Sequence, residues 1–147
     1  MKKKKVLFLC TGNAARSQMA EVLARTDHGS VIDPVSAGSR PAEVVNPMAV
    51  RVIEELGIGM DDAYTKGADR FREEPFDVVV TVCDSAAQDC PTWPGAQRIE
   101  HWSIEDPSWV DPAIRLERFR ETRDDLRRRI DELAESLSPF PTGRETG

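Results

Sequence analysis

The chain has 147 residues, 39% of them hydrophobic and 31% charged, with a formal net charge of −6. That length suits one domain with a single core, and the acidic balance excludes partners that select basic surfaces, namely nucleic acid and anionic membranes. No apolar run reaches the length of a membrane span. "VLFLC" is too short for the apolar core of a signal peptide and is followed at once by polar residues. Three cysteines, an odd number with no secretion signal, predict reduced thiols in the cytoplasm.

"KKKK" at Lys2–Lys5 reads as a solvated flank to a buried strand over Lys4–Cys10, a continuous apolar run. A helix is predicted over Ala14–Arg25, with Met19, Val22 and Leu23 on one face and Asp27-His28-Gly29 ending it. Val31–Ala37 reads as a strand placed at a sheet edge by Pro34. The next helix is well punctuated. Asn46 caps it, Pro47 takes the first helical position, Val45 and Val50 form a hydrophobic staple, and Gly57 ends it. "FDVVVTVC" at Phe76–Cys83 has the unbroken β-branched centre of a strand buried on both faces, hence of a parallel sheet. Gln97–Trp102 reads as a short fourth strand. Ala113–Leu137 reads as a long helix whose Leu116, Phe119, Leu126, Ile130, Leu133 and Leu137 share a face, its Arg, Asp and Glu residues forming a solvated outer face. The tail over 139–147 is expected to be flexible. Strands alternating with helices predict an α/β fold with a mostly parallel sheet of four strands. The whole chain, 1–147, makes one domain. In such folds ligands bind beyond the carboxyl ends of the strands, where Cys10 and Cys83 both fall.

The loop "CTGNAAR" after the first strand therefore carries the functional reading. A turn entering a helix exposes backbone N–H groups toward one point. Gly12 is free to take positive φ, and Asn13 tolerates it better than most residues. Such a concave set of amides suits a tetrahedral oxyanion, and Arg16 adds a planar fork of donors. The same field is expected to acidify the Cys10 thiol. A free thiol is only about 3% ionised at pH 7, and a drop of ~2 units, about 2.7 kcal/mol, makes it mostly thiolate. The plainer alternative is a buried structural cysteine beside a surface arginine.

"CTGNAARSQMAE" resembles the catalytic loop of the thioredoxin-coupled arsenate reductases, which share the fold of the low-molecular-weight protein tyrosine phosphatases. The likeness extends over nearly the whole chain through "VSAGS" (Val35–Ser39), "NPMAV" (Asn46–Val50), "VVVTVCDSAAQDCP" (Val78–Pro91) and "EHWSIEDP" (Glu100–Pro107). The resemblance implies a three-layer fold, a four-stranded parallel sheet flanked by helices. It implies that Cys10 is the nucleophile and that the backbone of Thr11, Gly12, Asn13, Ala14, Ala15, Arg16 and Ser17, with the Arg16 side chain, binds the oxyanion. Asp106 matches the general acid, and Cys83 and Cys90 match the second and third redox cysteines. Arsenate is the implied substrate, thioredoxin or a similar dithiol protein the implied external reductant, and no tightly bound cofactor or metal is implied. The chain is expected to act as a monomer. There are two departures. Ala14 and Ala15 stand where many relatives carry another cysteine. Some relatives bind potassium near the first helix, and although Asn13, Glu21 and Ser36 are consistent with that, no matching acid lies around Thr65–Gly67, so potassium is left open.

Three thiols then make chemical sense. Cys10 attacks arsenic while Asp106, protonated beside the bound oxyanion, protonates the departing oxygen; as a plain alternative, Asp106-Pro107 is a turn former. Cys83 attacks Cys10 and expels arsenite, and Cys90 attacks Cys83, leaving a disulfide for an external dithiol. Residues seven apart on a helix are separated by about 10.5 Å, beyond the ~7 Å a disulfide spans. A helical "DSAAQD" must therefore unwind when Cys83 and Cys90 join, and Asp84–Pro94 is expected to form a mobile flap. Two rivals remain. A phosphatase acting on phosphotyrosine or small phosphoesters uses the same Cys10, Arg16 and Asp106, with weak phosphatase activity also compatible with a reductase; Trp102 and Trp109 are the aromatic residues near its mouth. A metal or redox sensor uses the thiols with His101 or His28, against which Cys83 and Cys90 lack a usual zinc spacing.

Overall fold

The computed structural model describes residues 2–83, 86–87 and 92–138. Its elements follow the order β1 (Lys4–Cys10), α1 (Arg16–His28), β2 (Ile32–Gly38), α2 (Pro47–Glu54), a 3-10 turn (Ala68–Phe71), β3 (Val78–Thr81), β4 (Ile99–His101), a second 3-10 turn (Pro107–Trp109) and α3 (Pro112–Leu137). The strands form one parallel sheet in the order β2-β1-β3-β4. β2, with its proline, lies at an edge as expected.

The apolar runs end up where their patterns require. Val6, Leu7, Phe8 and Leu9 of β1 are fully buried, as are Val78–Thr81 to within 2%, because the two central strands are covered on both faces. α1 packs on β1 and β2, and α3 packs against α1 and α2. Met19 and Leu23 of α1 and Phe119, Leu126 and Ile130 of α3 meet in this core. Asn46 caps α2 by accepting from the Met48 N–H at 2.8 Å, with Pro47 following it. Beyond the helix Gly57 takes the left-handed conformation, φ 80°.

The topology brings two sulfurs to one edge. β1 and β3 are neighbours, with Leu9 opposite Thr81, and the Val82 N–H donates to the Leu9 carbonyl at 2.7 Å. Cys10 ends β1, and Cys83 follows two residues after β3. Both are buried and free of disulfides. Cys90, most of the Asp84–Pro94 segment and the 139–147 tail lie outside the described residues. Among the described residues no helix is long and apolar enough to cross a membrane.

Three expectations need correction. α1 begins at Arg16, not Ala14: Ala15 has φ −130° and ψ −76°, outside helical values, because the backbone of Ala14 and Ala15 belongs to the turn. The third strand is trimmed to Val78–Thr81, although Phe76 still makes a bridge to Ala96. The basic face of α3 is also not uniformly solvated. Arg123 is 9% exposed, its Nη1 donating to the Val52 carbonyl and to Glu55 Oε1, both at 2.9 Å. Val52 lies in the last turn of α2, whose carbonyls lack intrahelical partners, so Arg123 serves as that helix's cap as well as its clamp to α3. Arg120 completes the clamp with a two-point contact to Glu55 at 3.0 and 2.7 Å.

Glu55 is thereby held down to about 2 from 4.5, first by the Arg120 hydrogen bond and then by the charges of Arg120 and Arg123, against an opposing effect of burial. A carboxylate more acidic in the folded state contributes stability above its unfolded pKa and loses it as pH falls toward the folded value. Urea unfolding between pH 7 and pH 2 is therefore expected to lose stability from about 4.5 downward. Glu55→Gln should be less stable at pH 7 and show a shallower decline over that window.

Candidate active site

The loop 11–15 is built by hydrogen bonds that pull its carbonyls outward. The Thr11 carbonyl accepts from the Arg40 N–H, that of Gly12 from Ala42 and that of Ala14 from Asn46, at 2.9, 2.9 and 2.8 Å. The Asn13 carbonyl accepts from Gln18 Nε2 at 3.0 Å. In a planar trans peptide the following N–H points the opposite way, so the amides of Gly12, Asn13, Ala14 and Ala15 turn inward. The Asn13 N–H reaches Cys10 Sγ at 3.1 Å. The first N–H groups of α1, from Arg16 and Ser17, continue the ring.

Asn13 is the residue with positive φ, 51°, not Gly12. Its side chain is fully buried and tied at both ends. Oδ1 accepts from Gln18 Nε2 at 2.9 Å and from the Lys66 N–H at 2.8 Å, while Nδ2 donates to Ser17 Oγ at 2.8 Å. Ser17 Oγ in turn lies 2.8 Å from Cys10 Sγ. Gly38, at the end of β2, is required by close approach. A Cβ there would sit 2.6 Å from the Thr11 carbonyl oxygen and 2.9 Å from the Asn13 nitrogen.

Opposite the loop stands the segment 102–109. Arg16 Nη1 donates to the Ile104 carbonyl at 2.7 Å, and Nη2 lies 3.5 Å from Asp106 Oδ2. Asp106 divides its carboxylate. Oδ1 accepts from the Ser108 N–H and hydroxyl at 2.9 and 2.6 Å, leaving Oδ2 toward Arg16. Cys10, Arg16, Cys83, Asp106 and Trp109 line one cavity of about 610 Å³. The Thr11 hydroxyl lies 3.4 Å from Cys83 Sγ, which also accepts from the Ala86 N–H at 3.4 Å. Each sulfur thus accepts from the amide three residues on. The histidines lie elsewhere: His28 Nε2 is 2.7 Å from Asp131 Oδ1, and His101 Nδ1 is 2.7 Å from Thr81 Oγ1.

The structure places Cys10, Thr11, Gly12, Ala14, Ala15, Arg16, Cys83 and Asp106 around one cavity, with Asn13 and Ser17 buried behind it, and it reverses the sign of the predicted acidification. Burial is the largest influence and pushes the Cys10 thiol up, with the nearby Cys83 adding to it; hydrogen bonds from Ser17 and the charge of Arg16 pull it down without prevailing. Cys10 is only 3% exposed, and desolvation disfavours the anion of its sulfur. Sequence reasoning did not single out the Ser17 hydroxyl, Gln18, Gly38 or Lys66. The buried polar run "SQ" inside an otherwise apolar helix face was the available signal for the first two.

Alkylation of Cys10 by iodoacetamide across pH should therefore have a midpoint above that of an ordinary thiol. Ser17→Ala should move it higher still, and Cys83→Ser should move it lower. Gly38→Ala should displace the loop backbone, weaken oxyanion binding and cost about 1–3 kcal/mol of stability in urea unfolding.

Residues 5–139 match the low molecular weight phosphotyrosine protein phosphatase family. A protein of Halalkalibacterium halodurans named arsenate reductase is 38% identical over 138 residues, covering 92% of this chain and 99% of the relative. A Synechocystis protein named glutaredoxin arsenate reductase is 33% identical, with 92% and 99% covered. Among solved structures, an arsenate reductase in the phosphate binding state superposes with a TM-score of 0.78 at 31% identity, covering 92% of this chain and 99% of that one. The chain belongs to the low molecular weight phosphotyrosine protein phosphatase family and groups within it with proteins named arsenate reductase.

Proposed function

We propose that the chain is an arsenate reductase working through Cys10, Cys83 and Cys90, with an external dithiol protein of the thioredoxin type as its reductant. The observation that carries this reading is the second buried thiol, Cys83, on the wall of the cavity that holds Cys10, Arg16 and Asp106. A hydrolytic enzyme with this loop has no use for a sulfur there. The names of the relatives support the same substrate.

Arsenate enters the ring of amides, and Arg16 exchanges its contact with Asp106 for two arsenate oxygens. Burial keeps Cys10 in its thiol form until the dianion arrives, so an arsenate oxygen takes the proton as the sulfur attacks. The sulfur–arsenic bond forms, and one oxygen leaves as water with a proton from Asp106. Cys83 then attacks Cys10 Sγ. The electrons of the sulfur–arsenic bond pass to arsenic, which departs as arsenite, and a Cys10–Cys83 disulfide remains. Cys90 attacks Cys83, frees Cys10 and leaves a Cys83–Cys90 disulfide that the external dithiol reduces. The Synechocystis relative is named glutaredoxin arsenate reductase, so glutaredoxin is the alternative reductant, and the assay below discriminates the two.

A weak phosphomonoesterase activity is a second reading. Trp109, 87% exposed on the same cavity, offers an aryl ester a face to stack on, and Asp106 can protonate a departing phenolate as well as a water.

With arsenate, thioredoxin, thioredoxin reductase and NADPH, the chain should oxidise NADPH continuously, and faster than with glutaredoxin and glutathione. Cys10→Ser should be inactive. Cys83→Ser and Cys90→Ser should stop after one event, and Asp106→Asn should lose roughly 10²- to 10⁴-fold in rate. Cys83→Ser should keep any hydrolysis of p-nitrophenyl phosphate. A Cys83→Ser chain that cycled on arsenate would remove the relay.

A further inference from the structure

Lys66 is a buried cation that the chemistry above does not use. It is 8% exposed, and its ammonium is set among oxygens. Nζ donates to the Tyr64 carbonyl at 3.0 Å, lies 3.4 Å from Glu21 Oε1 and stands 4.6 Å from the centre of the Tyr64 ring. Glu21 Oε1 also accepts from Ser36 Oγ at 2.6 Å. The Tyr64 carbonyl accepts from Gln18 Nε2 at 2.8 Å, the same group that holds Asn13. The backbone of Lys66 joins in, its N–H donating to Asn13 Oδ1 and its carbonyl accepting from the Gly38 N–H, both at 2.8 Å.

Asn13, Glu21 and Ser36 are the three residues that the sequence marked as consistent with a potassium ion. In the structure the Lys66 ammonium takes Glu21, the acidic member of the three, while the Lys66 N–H takes Asn13 Oδ1 and Ser36 donates to the same Glu21 oxygen. An ammonium and a potassium ion both seek a shell of oxygen atoms, and the Lys66 ammonium already holds the carboxylate and the carbonyl. A free cation beside it would meet repulsion with its acidic partner taken. The residues therefore do not fit a dissociable ion.

We infer that Lys66 is a positioning residue, a built-in cation that orders the catalytic loop through Glu21, the Tyr64 carbonyl and Asn13, and makes the loop independent of potassium. The inference concerns the geometry of the oxyanion cradle and holds whether that cradle reduces arsenate or hydrolyses phosphoesters.

The test reads stability and anion binding, not turnover. Glu21, Tyr64 and Lys66 line a recess of about 840 Å³, so an ion from solvent has a route to the position. Wild-type protein should show the same Tm, within about 1 °C, in potassium, sodium and choline chlorides of equal ionic strength. Its calorimetric affinity for arsenate should be equal in all three. Lys66→Asp, which exchanges the cation for another oxygen ligand, should bind arsenate about tenfold more weakly in choline chloride. Potassium should restore that affinity to within about threefold of wild type and raise the variant's Tm by ~2–4 °C at ten times its dissociation constant. A variant that folds only when potassium is present supports the inference equally. A potassium-dependent rise in Tm of the wild type would overturn it. So would a Lys66→Asp chain indifferent to potassium, whether folded or unfolded in every salt.

Discussion

The site depends on where the carbonyls of one loop point. An anion cradle made of amides exists only if four consecutive carbonyls face away from it, and a free turn has no reason to hold that arrangement. Here each carbonyl from Thr11 to Ala14 has its own donor: the N–H groups of Arg40, Ala42 and Asn46, and the Gln18 side chain. Three of the four come from the segment between β2 and α2. The cap residue of α2, Asn46, works twice, closing its helix with its side chain and holding the loop with its backbone. Sheet, second helix and cradle therefore form one hydrogen-bonded unit, and the bare glycine at 38 lets β2 pass close enough for those bonds to be made.

The same enclosure sets the chemistry of the sulfur. Burial that shapes the cradle also strips water from Cys10, and desolvation outweighs Ser17 and Arg16. An amide ring strong enough to ionise the thiol permanently would be spent on the enzyme's own charge. On the mechanism proposed above, a buried thiol that gives up its proton when an oxyanion enters keeps the ring and Arg16 for the incoming anion. That mechanism requires the thiol to be activated in the complex and not in the resting protein, and a reading from helix dipole and arginine alone leaves out the opposing effect of burial.

Local rules made much of the fold legible. The unbroken apolar runs located β1 and β3, Pro34 placed β2 at an edge, and Asn46-Pro47 marked the start of α2 to the residue. Cys10 and Cys83 are legible because strand ends in a parallel sheet converge on one edge, Arg16 because it follows the turn that enters α1, and Asp106 only through the resemblance carried by "EHWSIEDP". What escaped was set by contacts distant in sequence. Ala14 and Ala15 have good helix propensity, yet the ties of the Asn13 carbonyl to Gln18 and of the Ala14 carbonyl to Asn46 hold the turn out of α1, leaving Ala15 as its cap. Arg123 belongs to a basic stripe that reads as solvated, but the free carbonyl of Val52 and the carboxylate of Glu55 draw it in. Lys66 carries no local signal, since its role exists only where α1, β2 and the following loop meet.

Asn13 shows why permissive backbone alone does not explain a residue. Glycine would adopt φ 51° freely, whereas for an L side chain left-handed backbone costs roughly 1–2 kcal/mol, less for asparagine than for most. Against that cost stand three side-chain hydrogen bonds, to Gln18, Lys66 and Ser17, each contributing about 1 kcal/mol net and more where a buried partner would otherwise be orphaned. Glycine would keep the turn and lose the link. Asparagine offers, from one planar group on a short side chain, an acceptor for the Lys66 amide on one side and a donor for Ser17 on the other. The Ser17 hydroxyl, accepting a hydrogen bond from Asn13 Nδ2, is left to donate its own hydrogen bond to the Cys10 sulfur. Through that amide the cationic pocket behind the loop and the thiol in front of it are two ends of a single hydrogen-bonded chain.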